Sequence, residues 1–247
     1  MSASRRPQRV AEILHVDAEV LAVDKPAGVL AGPGTSDQAG VPELLSGKGG
    51  LPEDERFEVT HRLDEHASGV VVYARSVAGK RELRAQFADG RAQTTYLALV
   101  SGYVQADGEI DLSLYYNKRA GLTMASERRG TPATTHYRIV ERVAGNTWLE
   151  CRPLCERTGQ LRAHLAAIGH PLTVDLAYGG GDRVLLSDYK PGYRPSARRE
   201  ERPLIDRLTL HAASVSLVHP ASGAELRCEA PLPRDMRATL KQLGRWR

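Results

Sequence analysis

The sequence contains little cysteine, few aromatic residues and no long apolar run. Its 247 residues include three cysteines, an odd and sparse set that does not predict a disulfide framework. Cys151 and Cys155 lack the second pair of ligands that a zinc site needs, so packing explains them better. No segment is apolar over the length that a membrane helix requires. The N-terminal MSASRRPQRV also lacks the apolar stretch of a secretory signal, and we therefore expect a cytoplasmic protein.

The charge balance of the chain is mildly basic. Lys and Arg number 34, Asp and Glu number 30, and the formal net charge is +4. With 41% hydrophobic and 26% charged residues, the composition is typical of a globular protein rather than a disordered one. A basic globular chain makes nucleic acid a reasonable partner. The arginine-rich segment 187–203 is either a loop that contacts phosphate or an ordinary solvated loop.

The pattern of apolar residues predicts many short strands and few helices. GVVVYARS is typical of a buried strand, and GEIDLSLYY alternates as a half-buried strand does. Helices are predicted from the cap Ser76 to Gly90, from the cap Thr158 to Gly169, and near the C-terminus. Because strands and helices do not alternate regularly, we expect an α+β fold, with a mixed, largely antiparallel central β-sheet and flanking helices and loops. Residues 1–247 are expected to form a single domain in which residues 1–10 are a basic tail.

The stretch HRLDEHASGVVVYARS, from His61 to Ser76, places charged residues directly before a buried strand. Charged groups in such a position are costly unless they are solvated, paired or used in chemistry. Asp64 could be a nucleophile or a base if a cation keeps it ionised and substrate reaches it. On this stretch alone, an Asp that caps a turn is the simpler interpretation.

A second stretch, CERTGQLRAHLAAIGHPL, places Arg157, Arg162 and His164 near the start of one predicted helix. Arg162 lies at the edge of the apolar face, where it could pair with a carboxylate from another segment and lower the pKa of that carboxylate. The N-terminus of the helix would also favour an anion such as phosphate. An ordinary surface helix with extended arginines is the alternative.

Five segments, in the same order, resemble the RluA-type pseudouridine synthases. HRLDEHASGVVVYARS is similar to their HRLD-x-x-(S/T)-S-G motif, and RTGQLRAHLAAIGHPLTVDLAYG is similar to their R-T-H-Q-I-R-x-H-L segment. VLAVDKPAGVL, TTYLALVSG and RLTLHAASVSLVHPASGAEL resemble the entry strand, the strand with the active-site Tyr, and the closing segment. The resemblance covers most of the chain and implies the pseudouridine synthase catalytic fold, here without a separate RNA-binding domain before it.

The resemblance implies a specific reaction and specific residues. Enzymes of this family convert uridine in RNA to pseudouridine: they break the N1–C1′ bond, turn the base over and rejoin it through C5, without a metal or organic cofactor. The family's essential Asp corresponds to Asp64, which acts either as a nucleophile at C1′ or as a base on the sugar. Its active-site Tyr corresponds to Tyr96, which is expected to stack on the base and to assist removal of the C5 proton. The Arg that pairs with the essential Asp corresponds to Arg162.

Further positions are expected to bind RNA or the flipped nucleotide. Arg62 corresponds to the residue that fills the space left by the flipped nucleotide, and His61, Arg157 and Leu210 are expected to contribute to the substrate site. Asp175 and Tyr178 are expected to brace the loop that follows the second predicted helix. The partner is RNA, either ribosomal or transfer RNA, and we expect a monomer without an obligate protein partner.

Two alternatives stay open beside this hypothesis. The first is a catalytically inactive RNA-binding protein on the same scaffold, which would bind RNA in a salt-sensitive way and isomerise nothing. The intact Asp64 favours the enzyme over it. The second is a metal-dependent hydrolase built on the histidines, but no pair of them has the H-E-x-x-H spacing of a zinc site, so we expect no metal.

Overall fold

The computed structural model describes residues 10–46, 51–52, 56–194 and 200–245. Those residues form twelve β-strands. In chain order the strands are β1 (Glu12–Val16), β2 (Val20–Lys25), β3 (Glu58–Val59), β4 (Ser68–Ala74), β5 (Gln93–Ser101), β6 (Gly108–Asp111), β7 (Ser113–Asn117), β8 (Leu122–Ser126), β9 (Thr134–Val143), β10 (Asn146–Pro153), β11 (Leu210–Val218) and β12 (Glu225–Glu229).

Ten of these strands form one large sheet in the order β1-β2-β4-β11-β5-β10-β9-β6, with β3 added to β4 and β12 added to β11. Strands β7 and β8 form a separate two-stranded hairpin. Within the large sheet β4 and β11 pair in parallel, and the other described pairings are antiparallel. The predicted α+β fold with a mixed, largely antiparallel sheet is therefore confirmed.

The parallel contact between β4 and β11 depends on a glycine. Gly69 pairs with Ala212 and adopts a φ of 114°, which a residue with a side chain rarely adopts. A Cβ atom at this position would lie 2.1 Å from the carbonyl oxygen of Ala212. The two strands that flank the functional residues can approach this closely only because Gly69 has no side chain.

Four α-helices and one 3₁₀ turn accompany the sheet. Helix α2 begins after Ser76, whose Oγ accepts a hydrogen bond from the Gly79 amide at 2.9 Å, and it ends at Gly90 in the left-handed conformation. The prediction for this helix is confirmed. The helices are α1 (Val41–Leu45), α2 (Val77–Asp89), α3 (Gln160–Ala167) and α4 (Arg234–Leu243), and the 3₁₀ turn is Leu176–Tyr178.

Helix α3 does not begin with the predicted cap. Thr158 was expected to cap it, but Gly159 occupies the N-cap position, with a φ of 67° and no side-chain hydrogen bond. The left-handed conformation at Gly159 disfavours any residue with a Cβ atom, and a Cβ there would lie 3.1 Å from the Tyr178 hydroxyl. The local signal of a Thr before a helix was outweighed by this tight approach of a neighbouring segment.

Strand β4 is buried on both faces, and this determines where the loop before it lies. All seven of its residues are buried. Val71 and Tyr73 belong to the cluster that includes Leu161 of α3, whereas Val70 and Val72 belong to the cluster that includes side chains of α2. Because alternate residues of a strand point to opposite faces, helices cover the sheet on both sides here. The loop that carries Asp64 therefore leads directly into a strand that is buried on both faces.

The remaining sequence predictions concern the surface and the cysteines. Residues 1–9, most of the predicted basic tail, lie outside the described residues. Within the arginine-rich segment, 187–194 and 200–203 form turns and irregular chain, and 195–199 lie outside the described residues. The three cysteines are unpaired thiols, and two of them are buried, in agreement with a packing role. No helix in the described ranges is long and apolar enough to span a membrane.

Candidate active site

An open pocket of about 720 Å³ brings together residues from distant parts of the chain. Its walls come from the loop before β4, from β5 and β11, and from the segment between β10 and α3. These parts meet because β4, β11 and β5 are neighbours in the sheet. All seven of the predicted site residues line this pocket: His61, Arg62, Asp64, Tyr96, Arg157, Arg162 and Leu210.

The loop that carries Asp64 is held in place by hydrogen bonds from a buried lysine. Lys25, at the end of β2, has no solvent exposure. Its Nζ donates to the carbonyl oxygens of Glu65 at 2.9 Å and Ala67 at 2.7 Å, and also to that of Val29 at 2.9 Å. Backbone carbonyls thus satisfy a charge that would be costly to bury alone. The chain that follows Asp64 is fixed in position as a result.

Arg162 is held mainly by Asp175 rather than by Asp64. Its Nε and Nη2 donate to the two carboxylate oxygens of Asp175, each at 2.7 Å, which is a bidentate pair. The nearest approach of Arg162 to Asp64 is 3.8 Å, from Nη1 to Oδ2, which is an ion pair and not a hydrogen bond. The prediction that Arg162 pairs with Asp64 therefore holds only as the weaker of two contacts. Sequence spacing could not reveal Asp175 as the closer partner.

The pKa of Asp64 is raised overall, although Arg162 lowers it as the sequence predicted for a carboxylate paired with this Arg. Burial raises the pKa of this carboxyl group, and the nearby charge of Asp175 raises it further. Arg162 and Lys25 lower it, but by less than burial raises it. Arg162 does not lower the pKa of Asp64 further because it donates its two shortest hydrogen bonds to Asp175. Asp64 thus takes up a proton more readily than an ordinary aspartate does.

Tyr178 holds Arg162 from a third side. The guanidinium carbon lies 4.6 Å from the centroid of the Tyr178 ring, in cation–π geometry. The Tyr178 hydroxyl donates to the carbonyl of Thr123 on β8 at 2.8 Å. The backbone carbonyl of Asp175 also accepts a hydrogen bond from the amide of Tyr178 at 3.1 Å, within the loop that both residues were expected to brace. The position of Arg162 is therefore tied both to that loop and to the β7–β8 hairpin.

Tyr96 and His61 meet at Glu156, a residue that the sequence analysis did not select. The Tyr96 hydroxyl donates to Glu156 Oε1 at 3.1 Å, and His61 Nδ1 lies 3.0 Å from Glu156 Oε2. All three residues line the pocket. Glu156 stands directly before Arg157 in the quoted segment, but a Glu between a strand and a helix carries no signal of its own. Only the convergence of β5 with the chain before α3 reveals it.

His164 lies outside the site although the sequence places it beside Arg157 and Arg162. It is fully buried, with Nδ1 at 2.9 Å from Thr135 Oγ1 and Nε2 at 3.0 Å from the carbonyl of Leu112. Burial lowers the pKa of His164. It is a hydrogen-bonded core histidine on the face of α3 that points away from the pocket.

The rim of the pocket is basic and its inner wall is partly apolar. Arg62 and Arg157 are exposed at the rim, and Arg157 Nε donates to the carbonyl of Pro132 at 3.1 Å. Leu210 is 3% exposed and contributes to the wall. Among the residues that the structure describes, no group of three or more His, Cys, Asp or Glu side chains is arranged to hold a metal ion.

The fold and the site together define a class of protein. Residues 19–167 match the family model described as RNA pseudouridylate synthase. Two human structures have the same fold: RNA pseudouridylate synthase domain containing 1 has a TM-score of 0.68 at 24% identity, covering 94% of this chain and 87% of that one. Domain containing 4 has a TM-score of 0.68 at 22% identity, covering 94% and 92%. The chain belongs to the RNA pseudouridine synthase family of enzymes.

Within this family the chain is of the RluA type. It is similar to the ribosomal large subunit pseudouridine synthases D of three bacteria. Identity is 34% with the protein of Nitrosomonas europaea, over 94% of this chain and 65% of that protein. It is 35% with that of Xanthomonas campestris, over 94% and 69%, and 33% with that of Zymomonas mobilis, over 98% and 75%. The chain thus spans about two thirds to three quarters of the length of these relatives.

Proposed function

We propose that the chain isomerises specific uridines to pseudouridine in structured RNA, with Asp64 as the essential carboxylate and without a metal or organic cofactor. The observation that carries the proposal is the shared pocket in which Asp64, Tyr96 and Arg162 meet. The names of the bacterial relatives refer to the ribosomal large subunit, which favours ribosomal over transfer RNA as the substrate.

The position of Asp64 suits chemistry on a flipped nucleotide. Its side chain is 28% exposed, so a nucleotide that leaves its stack can reach it from the pocket. Arg162 opposes the effect of burial and helps to keep the carboxylate ionised. An ionised Asp64 can attack C1′ as a nucleophile or remove a proton from the sugar as a base, and both roles remain compatible with this geometry.

The pocket wall suits the flat uracil base. The ring of Tyr96 and the side chains of Leu63 and Leu210 line the same pocket as Asp64. Unstacked RNA bases bind to aromatic and apolar surfaces of this kind. We assign stacking on the base to Tyr96, and space filling in the RNA to the exposed Arg62.

Positive charge around the pocket suits the RNA backbone. Arg157 is exposed at the rim. Beside it, the β7–β8 hairpin carries Lys118 and Arg119 at its exposed turn and Arg128 and Arg129 just beyond β8. The hairpin is fixed to the site through the hydrogen bond of Tyr178 to β8. We assign phosphate contacts to these side chains, which would make binding dependent on salt.

The experiment that tests this function compares RNA from cells with and without the gene. Pseudouridine is mapped by carbodiimide labelling and reverse-transcription stops. We expect at least one stop to disappear with the gene, and to return with wild type and with the control Asp182→Ala, an exposed aspartate on a nearby loop. Asp64→Ala should not restore it. Full restoration by Asp64→Ala would refute the role of this residue.

The inactive RNA-binding alternative makes a different prediction in the same experiment. Wild type would bind RNA in a salt-sensitive way, and no site would depend on the gene. We also propose that the described chain acts as a single domain and in the cytoplasm. We further propose that it is a monomer, since a bulky RNA must reach the open pocket. Light scattering at the concentrations used for activity tests the monomer.

A further inference from the structure

Glu156 occupies a position in the pocket that the roles assigned above do not use. It lines the pocket with its side chain 11% exposed, and it has two polar partners there. One is the Tyr96 hydroxyl at 3.1 Å and the other is His61 Nδ1 at 3.0 Å. A carboxylate this well enclosed and hydrogen-bonded to the residue expected to stack on the base calls for a chemical explanation.

The hydrogen bonds of His61 determine its tautomer. The backbone amide of Val72 donates to His61 Nε2 at 3.0 Å, so this nitrogen carries no proton. The proton of the neutral ring is therefore on Nδ1, which donates to Glu156. Stacking of the imidazole on the Phe87 ring, with centroids 4.2 Å apart, fixes the ring plane. Glu156 thus accepts a hydrogen bond on each oxygen, one from Tyr96 and one from a histidine that cannot turn away.

The pKa values of Tyr96 and Glu156 are shifted in opposite directions. Burial raises the pKa of Tyr96 well above its usual value, and the negative charge of Glu156 raises it further. Burial raises the pKa of Glu156, but the interactions with His61, Thr94 and Tyr96 outweigh burial and lower that pKa overall. A free Tyr96 phenolate is therefore inaccessible near neutral pH. If the Tyr96 oxygen is to accept a proton, its own proton must leave at the same time.

We propose that Glu156 is the final proton acceptor for the deprotonation of C5, acting through the Tyr96 hydroxyl. This inference rests on the proposed function. After the base has rejoined C1′ through C5, the Tyr96 oxygen takes the C5 proton while the Tyr96 proton moves to Glu156 Oε1. The electron pair of the C5–H bond forms the C5–C6 double bond, and the C6–N1 π pair returns to N1.

Protons gained and lost in this step balance without a further reactant. N1 gains a proton from water, and Glu156 returns its proton to water through Tyr96, so substrate and product remain isomers. His61 donates to Glu156 throughout and holds the carboxylate against the hydroxyl. In this relay Glu156 acts through Tyr96 and not directly on the base, so it is a positioning and proton-accepting residue.

The test uses the Glu156→Gln variant and an RNA in which the target uridine carries deuterium at C5. Glutamine has nearly the same shape but cannot accept the proton. We expect glycosidic cleavage to keep its rate in a single turnover, while product formation falls about 10²-fold or more, as for loss of a general base. We also expect a primary isotope effect that is absent or small in wild type, since C5 deprotonation becomes rate-limiting. A purely structural role would not create that isotope effect.

Two further variants complete the design. Glu150→Gln is the matched control, because Glu150 is 13% exposed and paired with arginines outside the pocket. The double variant Glu156→Gln with Tyr96→Phe should be no slower in deprotonation than Tyr96→Phe alone, because both act on one proton path. Additive losses would overturn the relay.

The outcomes separate this inference from the proposed function. If wild type forms pseudouridine and Glu156→Gln does so equally fast, or more slowly without a larger isotope effect, the relay is wrong and the function stands. If wild type converts no uridine in an RNA that carries its gene-dependent sites, both are wrong. A folded Glu156→Gln protein, checked by circular dichroism and RNA affinity, is required for either reading.

Discussion

Replacement of Asp175 by asparagine should weaken both the fold and the catalytic centre. The Asp175 side chain is 2% exposed and accepts both short hydrogen bonds from Arg162. Asparagine keeps one acceptor oxygen but turns an NH₂ group towards the guanidinium, so one charge-assisted hydrogen bond is lost. Such a bond contributes roughly 1.5–3 kcal/mol. Breaking a fully buried ion pair costs about 3–5 kcal/mol.

The structure places the expected loss of stability below the cost of breaking a fully buried ion pair. Arg162 is 20% exposed and keeps Asp64 at 3.8 Å, so solvent and a second carboxylate offset part of the loss. We therefore expect the free energy of unfolding to fall by about 2–3 kcal/mol. Turnover should fall by up to about 10²-fold, because a guanidinium displaced by about 1 Å no longer holds the reacting geometry.

The same variant should also shift the pH dependence of activity in a defined direction. In the proposed function Asp64 acts as an ionised carboxylate, so activity is expected above its pKa and is expected to be lost as the pH falls through that pKa. Asp175 raises that pKa in wild type, and Arg162 lowers it. Removing the negative charge and freeing Arg162 to approach Asp64 both lower the pKa. The acid limb of kcat/KM should therefore move to lower pH in Asp175→Asn.

Urea unfolding and the pH profile of tritium release from RNA labelled at C5 of uridine would measure both effects. Asp182→Asn is the control, because Asp182 is an exposed aspartate of the same region that pairs only with surface arginine in the described chain. An acid limb that moves to higher pH, or a variant as stable as the control, would show that Asp175 is not the residue that governs Arg162.

Three more predictions follow from single features. Burial lowers the pKa of His211 to about 4, so the unfolded state binds more protons than the folded state between about pH 6.5 and 4. The free energy of unfolding should therefore fall by roughly 3 kcal/mol as the pH is lowered from about 6.5 to 4. Urea unfolding should show a smaller fall in His211→Gln. Replacing Lys118 and Arg119 by glutamine should reduce the salt slope of RNA binding by about 2 with turnover at saturation unchanged; an unchanged slope would contradict the assignment of the hairpin. Gly69→Ala should be far more destabilising in thermal unfolding than Gly145→Ala, because both have positive φ but only at Gly69 does a Cβ collide with backbone; equal losses would contradict the role of the close strand contact.

Several elements could be predicted because their signals are local. Ser76 and Gly90 mark the ends of α2, since a hydroxyl cap and a left-handed glycine act on the residues next to them. The alternation of apolar residues predicted strands, and the irregular order of strands and helices predicted an α+β fold. The motif around Asp64 and the one around Arg162 could be matched to a family because each is a continuous stretch of chain.

Contacts between distant segments could not be predicted in this way. The prediction for Arg162 identified the right kind of interaction and the wrong principal partner, because Asp175 follows it by thirteen residues across a turn whose path is set by packing. Glu156 was missed because its significance depends on Tyr96 and His61, which come from other elements. The lowering effect of Arg162 on the pKa of Asp64 could be predicted, but the larger raising effect of burial could not, because burial is a property of the assembled pocket.

The sequence by itself determined the family, the class of fold and seven of the residues that line the pocket. These depend on residue type and on order along the chain, both of which are readable from one sequence. Only the tertiary structure decided which carboxylate holds Arg162, which carboxylate accepts the hydrogen bond of the Tyr96 hydroxyl, and in which direction the pKa of Asp64 is shifted. Those properties follow from distances of a few ångströms and from loss of solvent, which arise only when β4, β5 and β11 are brought side by side.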